Sequence, residues 1–410
     1  MQRFCYIICS ATLFAAMVLA PKSATTFMAL ISIVSVFSVW RNGTLGACMI
    51  KLLKQPVTLL LLMLGGLIVL SSTWHFSGDL RIIEALNRPM VLVTGLLGML
   101  WWQSFESPDG NRMFDHEDIG VGVLIGYGVG LLGAVVGYVH VLLTGDALWG
   151  HYLSDPLTPM NNSAVMLSLF IWPILIFARR ISNVMAILIM GVVAVILSLL
   201  SSAAALFALL LGVFVISFIY FFAKRLLLGG ICVAVLLVAS APMIIKHTGV
   251  GSLMSHYEVY DGSSIIASSA QHRLAMWSFV ADRIAEKPWL GWGFGASRTI
   301  PQEGYRLGLD TEIMPLHPHN LSLQTRLELG VPGIFIVVAL MLSVLVPLLN
   351  LCYRSSFGVA AFVSAVSWIF IANVSFGMWQ TWWISTAFVL ASVVRLAAFT
   401  RHNSTENNSS

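Results

Sequence analysis

Apolar residues along this chain come in long runs with short polar breaks between them, and one break is far longer than the others. A membrane-crossing helix needs roughly 20 mostly apolar residues. The pattern predicts twelve spans, at 4–20, 24–40, 57–73, 89–102, 119–143, 162–178, 183–200, 203–222, 227–245, 330–351, 357–375 and 381–399. The 183–222 block reads as a tight hairpin broken at Ser201 and Ser202, and the short run 89–102 reads as a tilted or half-buried helix. The first twenty residues, with Arg3 ahead of an apolar stretch, have the shape of a signal peptide. An uncleaved first span serves the same targeting purpose. The chain thus divides into spans one to nine (1–245), a polar segment (246–329), spans ten to twelve (330–399) and a polar, disordered tail (400–410).

The long break has its own pattern. Residues 251–269 are rich in Ser and Gly and read as a loop. Over 271–287, Leu274, Trp277, Ala281 and Ile284 recur at three- and four-residue spacing, predicting an amphipathic helix. On a membrane surface such a helix would lie flat. Pro288 stops it, and Gly291, Gly293 and Gly295 predict a tight turn. No strand–turn–helix context surrounds those glycines, so a dinucleotide loop has no support. His317-Pro318-His319-Asn320 then leads into an apolar run. Pro318 disfavours helix before it and Asn320 is a good N-cap, so a helix is expected to start there and enter the tenth span.

Composition changes one thing: the solvent. Hydrophobic residues make up 58% of the 410 and charged residues 10%, with a mean hydropathy of +0.88. A soluble domain carries roughly 25% charged residues. Lipid must therefore cover much of this chain, and the fold class expected is an all-α polytopic membrane protein. The net charge of +4 is small and spread along the chain, which gives nucleic-acid binding no support. None of the five cysteines lies in the long break, so no disulfide framework is implied there.

Lys and Arg bias in short loops sets orientation. With the N-terminus inside, the inner loops hold Arg41, Lys51, Lys54, Arg112, Arg179, Arg180, Lys224, Arg225 and Arg354, and the short outer loops hold only Lys22, Arg81 and Arg88. Both termini are expected in the cytoplasm and the long segment in the periplasm.

Candidate chemistry gathers on that outer side. His319 would sit beside a helix N-terminus, whose partial positive charge keeps an imidazole neutral and able to accept a proton. Taken singly, a histidine there is also an ordinary cap or surface residue. Arg81, Arg88, Arg273, Arg283, Arg298, Arg306 and Arg326 all fall outside in this topology, and guanidinium forks match phosphate oxygens. Each alone is equally a snorkelling or headgroup-binding side chain. A metal site would need oxygen ligands, and the close acidic pairs outside are Asp310 with Glu312 and Glu258 with Asp261. A transporter or flippase would place ionisable residues at mid-membrane, and these spans hold essentially none.

Two pieces of the chain resemble the bacterial O-antigen ligases of the WaaL type, within the O-antigen ligase and polymerase superfamily. One is His319-Asn320, nine residues, then Gly330-Val331-Pro332-Gly333. The other is Arg273-x-x-x-Trp277 followed by Lys287-Pro288-Trp289-Leu290-Gly291-Trp292-Gly293-Phe294-Gly295. The resemblance implies a fold like the glycosyltransferase C-type membrane enzymes and glycosyl transfer at the outer face of the inner membrane. The donor would be an O-antigen chain on undecaprenyl pyrophosphate and the acceptor a lipid A–core sugar, with no cofactor and no metal. His319 would be the catalytic histidine and Arg273 a donor-phosphate ligand. Arg88, Arg81 and Arg326 are further donor-binding candidates, and His317, Asn320 and Trp277 would support. The motifs are shared by O-antigen polymerases and protein O-oligosaccharyltransferases, which stay open as alternatives.

Overall fold

The computed structural model describes residues 2–74, 80–100, 116–148, 157, 160–200, 202–222, 224–248, 265–302, 306–307, 311–314 and 316–399. The fold is all-α and polytopic. Nine helical stretches among the described residues are long and apolar enough to cross a membrane. Helices α1 (Gln2–Leu19) and α8 (Asn183–Leu199) are apolar but shorter. Helix α5 (Leu80–Gly98) carries Arg81, Glu84 and Arg88 near its start. With these three, every predicted span has its helix.

The elements begin where local chemistry favours a start. Pro56 opens α4 (Pro56–Ser71), where its missing N–H costs nothing. Ser182 caps α8 through Met185 N at 2.9 Å, and Ser355 caps α13 (Ser356–Val374) through Gly358 N at 3.1 Å. The fourth span differs from expectation. The apolar run places its first residue at Pro89, yet α5 starts a full nine residues earlier and runs through that proline. Proline removes one interior hydrogen bond, and neighbouring spans make that tolerable in a membrane helix.

End contacts fix the relative direction of two helix pairs. Arg3 Nε donates to Asp118 at 2.9 Å, so α1 runs parallel to α6 (His116–Thr144). Arg180 donates to the Ala397 carbonyl at 2.8 Å, so α7 (Asn161–Ile181) runs parallel to α14 (Thr381–Phe399). Spans one and five, and spans six and twelve, must be parallel in a strictly alternating bundle, and they are. Helices α7 and α14 form the protein-facing centre, 72% buried each, whereas α10 (Lys224–His247) at 17% lies at the rim.

The polar segment folds back on one end of this bundle. Helix α11 (Ile265–Glu286) begins earlier than the predicted 271. Its buried face is turned from the predicted stripe: Ala281 and Ile284 are buried, but Leu274 and Trp277 are only partly so. Met276, Phe279, Val280 and Ile284 are buried with Ile300, Ile313 and Met314 against Leu323 and Leu327 of α12 (Leu321–Cys352). This buried face is the core of a small cap, and the same segment carries a two-residue antiparallel pair, β1 (Arg306–Leu307) and β2 (Thr311–Glu312). Helix α12 carries the cap's core at its start and continues as the tenth span.

Candidate functional site

Two glycine-bearing segments dock to make the floor of the site. Inside α12, Gly330 has φ 62° and ψ −151°, a region essentially closed to side chains. The kink frees backbone groups that a straight helix would pair internally. The 289–293 turn takes them up: Trp292 N donates to Leu327 O at 2.7 Å, Gly293 N to Glu328 O at 2.9 Å, and Val331 N to Trp289 O at 2.9 Å. A Cβ on Gly330 would overlap Trp289 O, and one on Gly291 would stand 2.7 Å from Leu327 O. The Gly-x-Gly-x-Gly run is thus a turn, as its sequence indicates, and its partner is the kink. Trp292 also closes α11, its Nε1 donating to Arg283 O at 2.8 Å.

Over this floor stands the histidine turn. Asn320 caps α12, its Oδ1 accepting from Leu323 N at 2.9 Å. Trp277 Nε1 donates to Pro318 O at 2.8 Å, and one turn earlier on the same face of α11 Arg273 Nη1 donates to Val374 O at 2.7 Å. His319 adopts φ 51°, a left-handed conformation that histidine tolerates better than most residues. Its Nδ1 lies 2.5 Å from the Ser375 carbonyl. A carbonyl only accepts, so Nδ1 carries the proton and Nε2 is left as an acceptor. Burial lowers the His319 pKa; Arg273 and His272 lower it further, and the Ser375 contact works the other way.

His317 is more deeply set. Its ring lies 4.3 Å from that of His319, centre to centre. The Gln380 amide nitrogen is 3.0 Å from His317 Nε2, and the His319 N–H lies 3.4 Å from Nδ1. A neutral imidazole has one acceptor nitrogen, so only one of these is a full hydrogen bond, and the shorter is to Gln380. Burial first, then His319 and Arg298, push its pKa down to about 3. Such a ring is a poor base at neutral pH.

His317 opens onto a polar cleft with Arg88, Arg298, Gln324, Glu328, Trp379 and Gln380 among its lining residues. Arg88 and Trp379 also line an apolar groove of about 510 Å³ that runs between α4, α5, α12, α13 and α14 as far as Arg395. Of the sequence candidates, Arg88, Arg298 and His317 line the cleft, while His319, Arg273, Trp277 and Asn320 do not; His319 adjoins it through the His317 ring, and Trp277 and Asn320 hold the same turn. Arg326 does not line the cleft. It lies two residues, about 200° of helix, from Gln324. The side chains of Arg81, Arg306 and Glu312 lie outside the described residues, as do Glu258, Asp261 and Asp310.

Sequence reasoning passed over Glu328, Gln324, Trp379, Gln380 and Ser297. One signal was present: Gln324 and Glu328 stand four apart on one face of an otherwise apolar helix. Ser297 and Gly295, in a turn, and Trp379 and Gln380, in a loop, reach the cleft only through tertiary packing.

Residues 186–338, which include both docked segments, match the family model described as O-antigen ligase. Over that stretch the chain is similar to the O-antigen ligase family. A protein of Rickettsia felis with the provisional name polysaccharide ligase is 36% identical over 132 residues, 31% of this chain and 32% of the relative. Similarly named proteins of Rickettsia typhi and Rickettsia bellii are 36% and 33% identical over 132 residues each. The aligned part of this chain spans just under a third of the length of these relatives. In the matched stretch the spacing of the motif has a physical reading: the nine residues from Asn320 to the kink set the distance between the histidine turn and the docked glycine turn.

Proposed function

We propose that this protein is a glycosyltransferase that moves O-antigen polysaccharide from undecaprenyl pyrophosphate to a lipid A–core sugar. The observation that carries the reading is the shared edge of two cavities. Arg88 and Trp379 border both a polar cleft with a second arginine and a long apolar groove. A lipid with a pyrophosphate head and a polyprenyl tail has that division of chemistry. By the positive-inside bias, the termini are cytoplasmic and the site lies at the periplasmic face of the inner membrane. Segments 1–245, 246–329 and 330–399 all contribute to it.

The reaction needs little from the protein beyond positioning and charge. The acceptor hydroxyl oxygen attacks the anomeric carbon, the bond from that carbon to the pyrophosphate oxygen breaks, and the pyrophosphate departs with the electron pair. His319 Nε2 takes the hydroxyl proton. Attack opposite the leaving group inverts the anomeric centre. Arg88, Arg273 and Arg298 neutralise the departing pyrophosphate, so no metal is required. His319 suits the base role better than His317, whose pKa burial pushes down to about 3 and whose acceptor nitrogen is engaged by Gln380.

Purified wild-type protein, given polyprenyl-pyrophosphate O-antigen and lipid A–core, is expected to form the joined glycolipid. His319→Ala should lower turnover by about 10²–10⁴-fold. Wild-type rates in a correctly inserted His319→Ala protein would remove the base role. Product growth on the carrier lipid without lipid A–core would identify a polymerase instead, and glycan on a periplasmic protein would identify an oligosaccharyltransferase.

A further inference from the structure

The geometry points to Glu328 as a positioning residue whose carboxylate aligns the catalytic loop by its pattern of accepted hydrogen bonds. The inference rests on the functional reading above. Glu328 is fully buried at the cleft floor, in the second turn of α12. Its Oε2 accepts from Gly295 N and Trp379 Nε1, both at 2.9 Å. Its Oε1 accepts from the Ser297 hydroxyl and, at 3.3 Å, from the Gln324 amide. Gln324 Oε1 in turn accepts from Met378 N at 2.8 Å.

These donors come from three places, and each adjoins the chemistry. Ser297 immediately precedes Arg298. Met378 and Trp379 belong to the loop that holds His319 through Ser375 O and His317 through Gln380. Burial raises the Glu328 pKa, and the hydrogen bonds from Ser297, Gly295 and Gln324 act against that rise; the carboxylate form has about four acceptor sites and no donor, which matches this set one for one.

The pattern predicts what a neutral isostere does. In Glu328→Gln the new oxygen can serve Gly295 and Trp379, and the Ser297 hydroxyl can rotate to accept. The new NH₂ then faces the Gln324 NH₂. Turning Gln324 over removes that conflict but puts its NH₂ against Met378 N–H. One donor always meets a donor, and the mismatch lands on the loop that carries Ser375. The double change Glu328→Gln with Gln324→Glu removes it: the carboxylate now at position 324 accepts both from the amide now at position 328 and from Met378 N.

The experiment measures kcat and the pH dependence of kcat/KM for wild type, Glu328→Gln and the double variant, with thermal midpoints in detergent alongside. Glu328→Gln is expected to lower kcat by on the order of tenfold to a hundredfold, as a small misplacement does. It should also move the acid limb to lower pH. His319 is faced by His317, Arg273 and His272, which are unchanged, while the Ser375 carbonyl that favours its protonated form is drawn away. The double variant should recover most of kcat and return the limb. A merely structural carboxylate would reduce the amount of folded enzyme and leave the limb in place.

Wild-type kcat and pH profile in Glu328→Gln would overturn the proposal, as would a double variant no better than the single. Should Glu328→Gln fail to insert, recovery in the double variant alone decides. If wild-type protein transfers no glycan, the functional reading fails; if it does and Glu328→Gln matches it, only this inference fails.

Discussion

At the scale of single residues, the proposed chemistry depends on which nitrogen of His319 carries a proton. The Ser375 carbonyl fixes that proton on Nδ1 and holds the ring in an uncommon backbone conformation. Burial and the nearby Arg273 charge both disfavour the imidazolium, so the ring is a neutral base over a wider pH range than free histidine. The sign of a charge change follows. In Arg273→Gln the neighbouring positive charge is gone, the imidazolium is less disfavoured and the His319 pKa rises. The acid limb of the kcat/KM profile should therefore move to higher pH, while kcat/KM also falls. A lower amplitude with an unmoved limb would show that Arg273 does not act on His319.

At the scale of elements, the kink of α12 and the 289–295 turn are one device. The turn occupies the space a side chain at Gly330 would need, and it satisfies the backbone groups the kink releases. Gly330→Ala combines a forbidden backbone region, costing about 1–3 kcal/mol, with a clash on Trp289 O. The expected result is a sharply lowered thermal midpoint and little inserted protein. Gly66, on α4 with open space around its missing Cβ, is the comparison: Gly66→Ala should leave the midpoint unchanged or slightly raised. Equal midpoints for the two variants would show that the kink is dispensable. The elements themselves were legible in the sequence because their causes are local: apolar length for the spans, Asn320 for a cap, Pro288 and the glycines for a turn. The carboxyl at 328 was not legible, because its meaning lies in Gly295, Ser297 and Trp379, which packing brings to it. Arg326 against Gln324 was a question of helical phase, and only the docked turn decides which face of α12 looks into the cleft. Helix α11 was recognised as amphipathic, but that Met276, Phe279 and Val280 rather than Leu274 and Trp277 face inward is a tertiary fact.

At the scale of the whole molecule, the spans form a bundle with a polar cleft at one end and an apolar groove leading from it. In α14, Ile384, Ala387, Ala391 and Val394 line the groove at three- and four-residue spacing, and the small alanines leave the room. A polyprenyl tail entering this groove leaves lipid, not water, so it gains little from the hydrophobic effect. Affinity on the proposed reading therefore resides in the pyrophosphate and the arginines, and the groove orients the tail so that the head reaches His319. Filling it should act on long donors alone. Ala391→Trp is expected to raise KM about tenfold, or about 1.4 kcal/mol, for a full-length undecaprenyl donor, with kcat at saturation little changed. A donor whose short tail ends before residue 391 should keep its wild-type KM, because it never meets the new ring. Equal increases for long and short donors would mean that the indole distorts the cleft instead, and the assignment of the groove to the tail would then be lost.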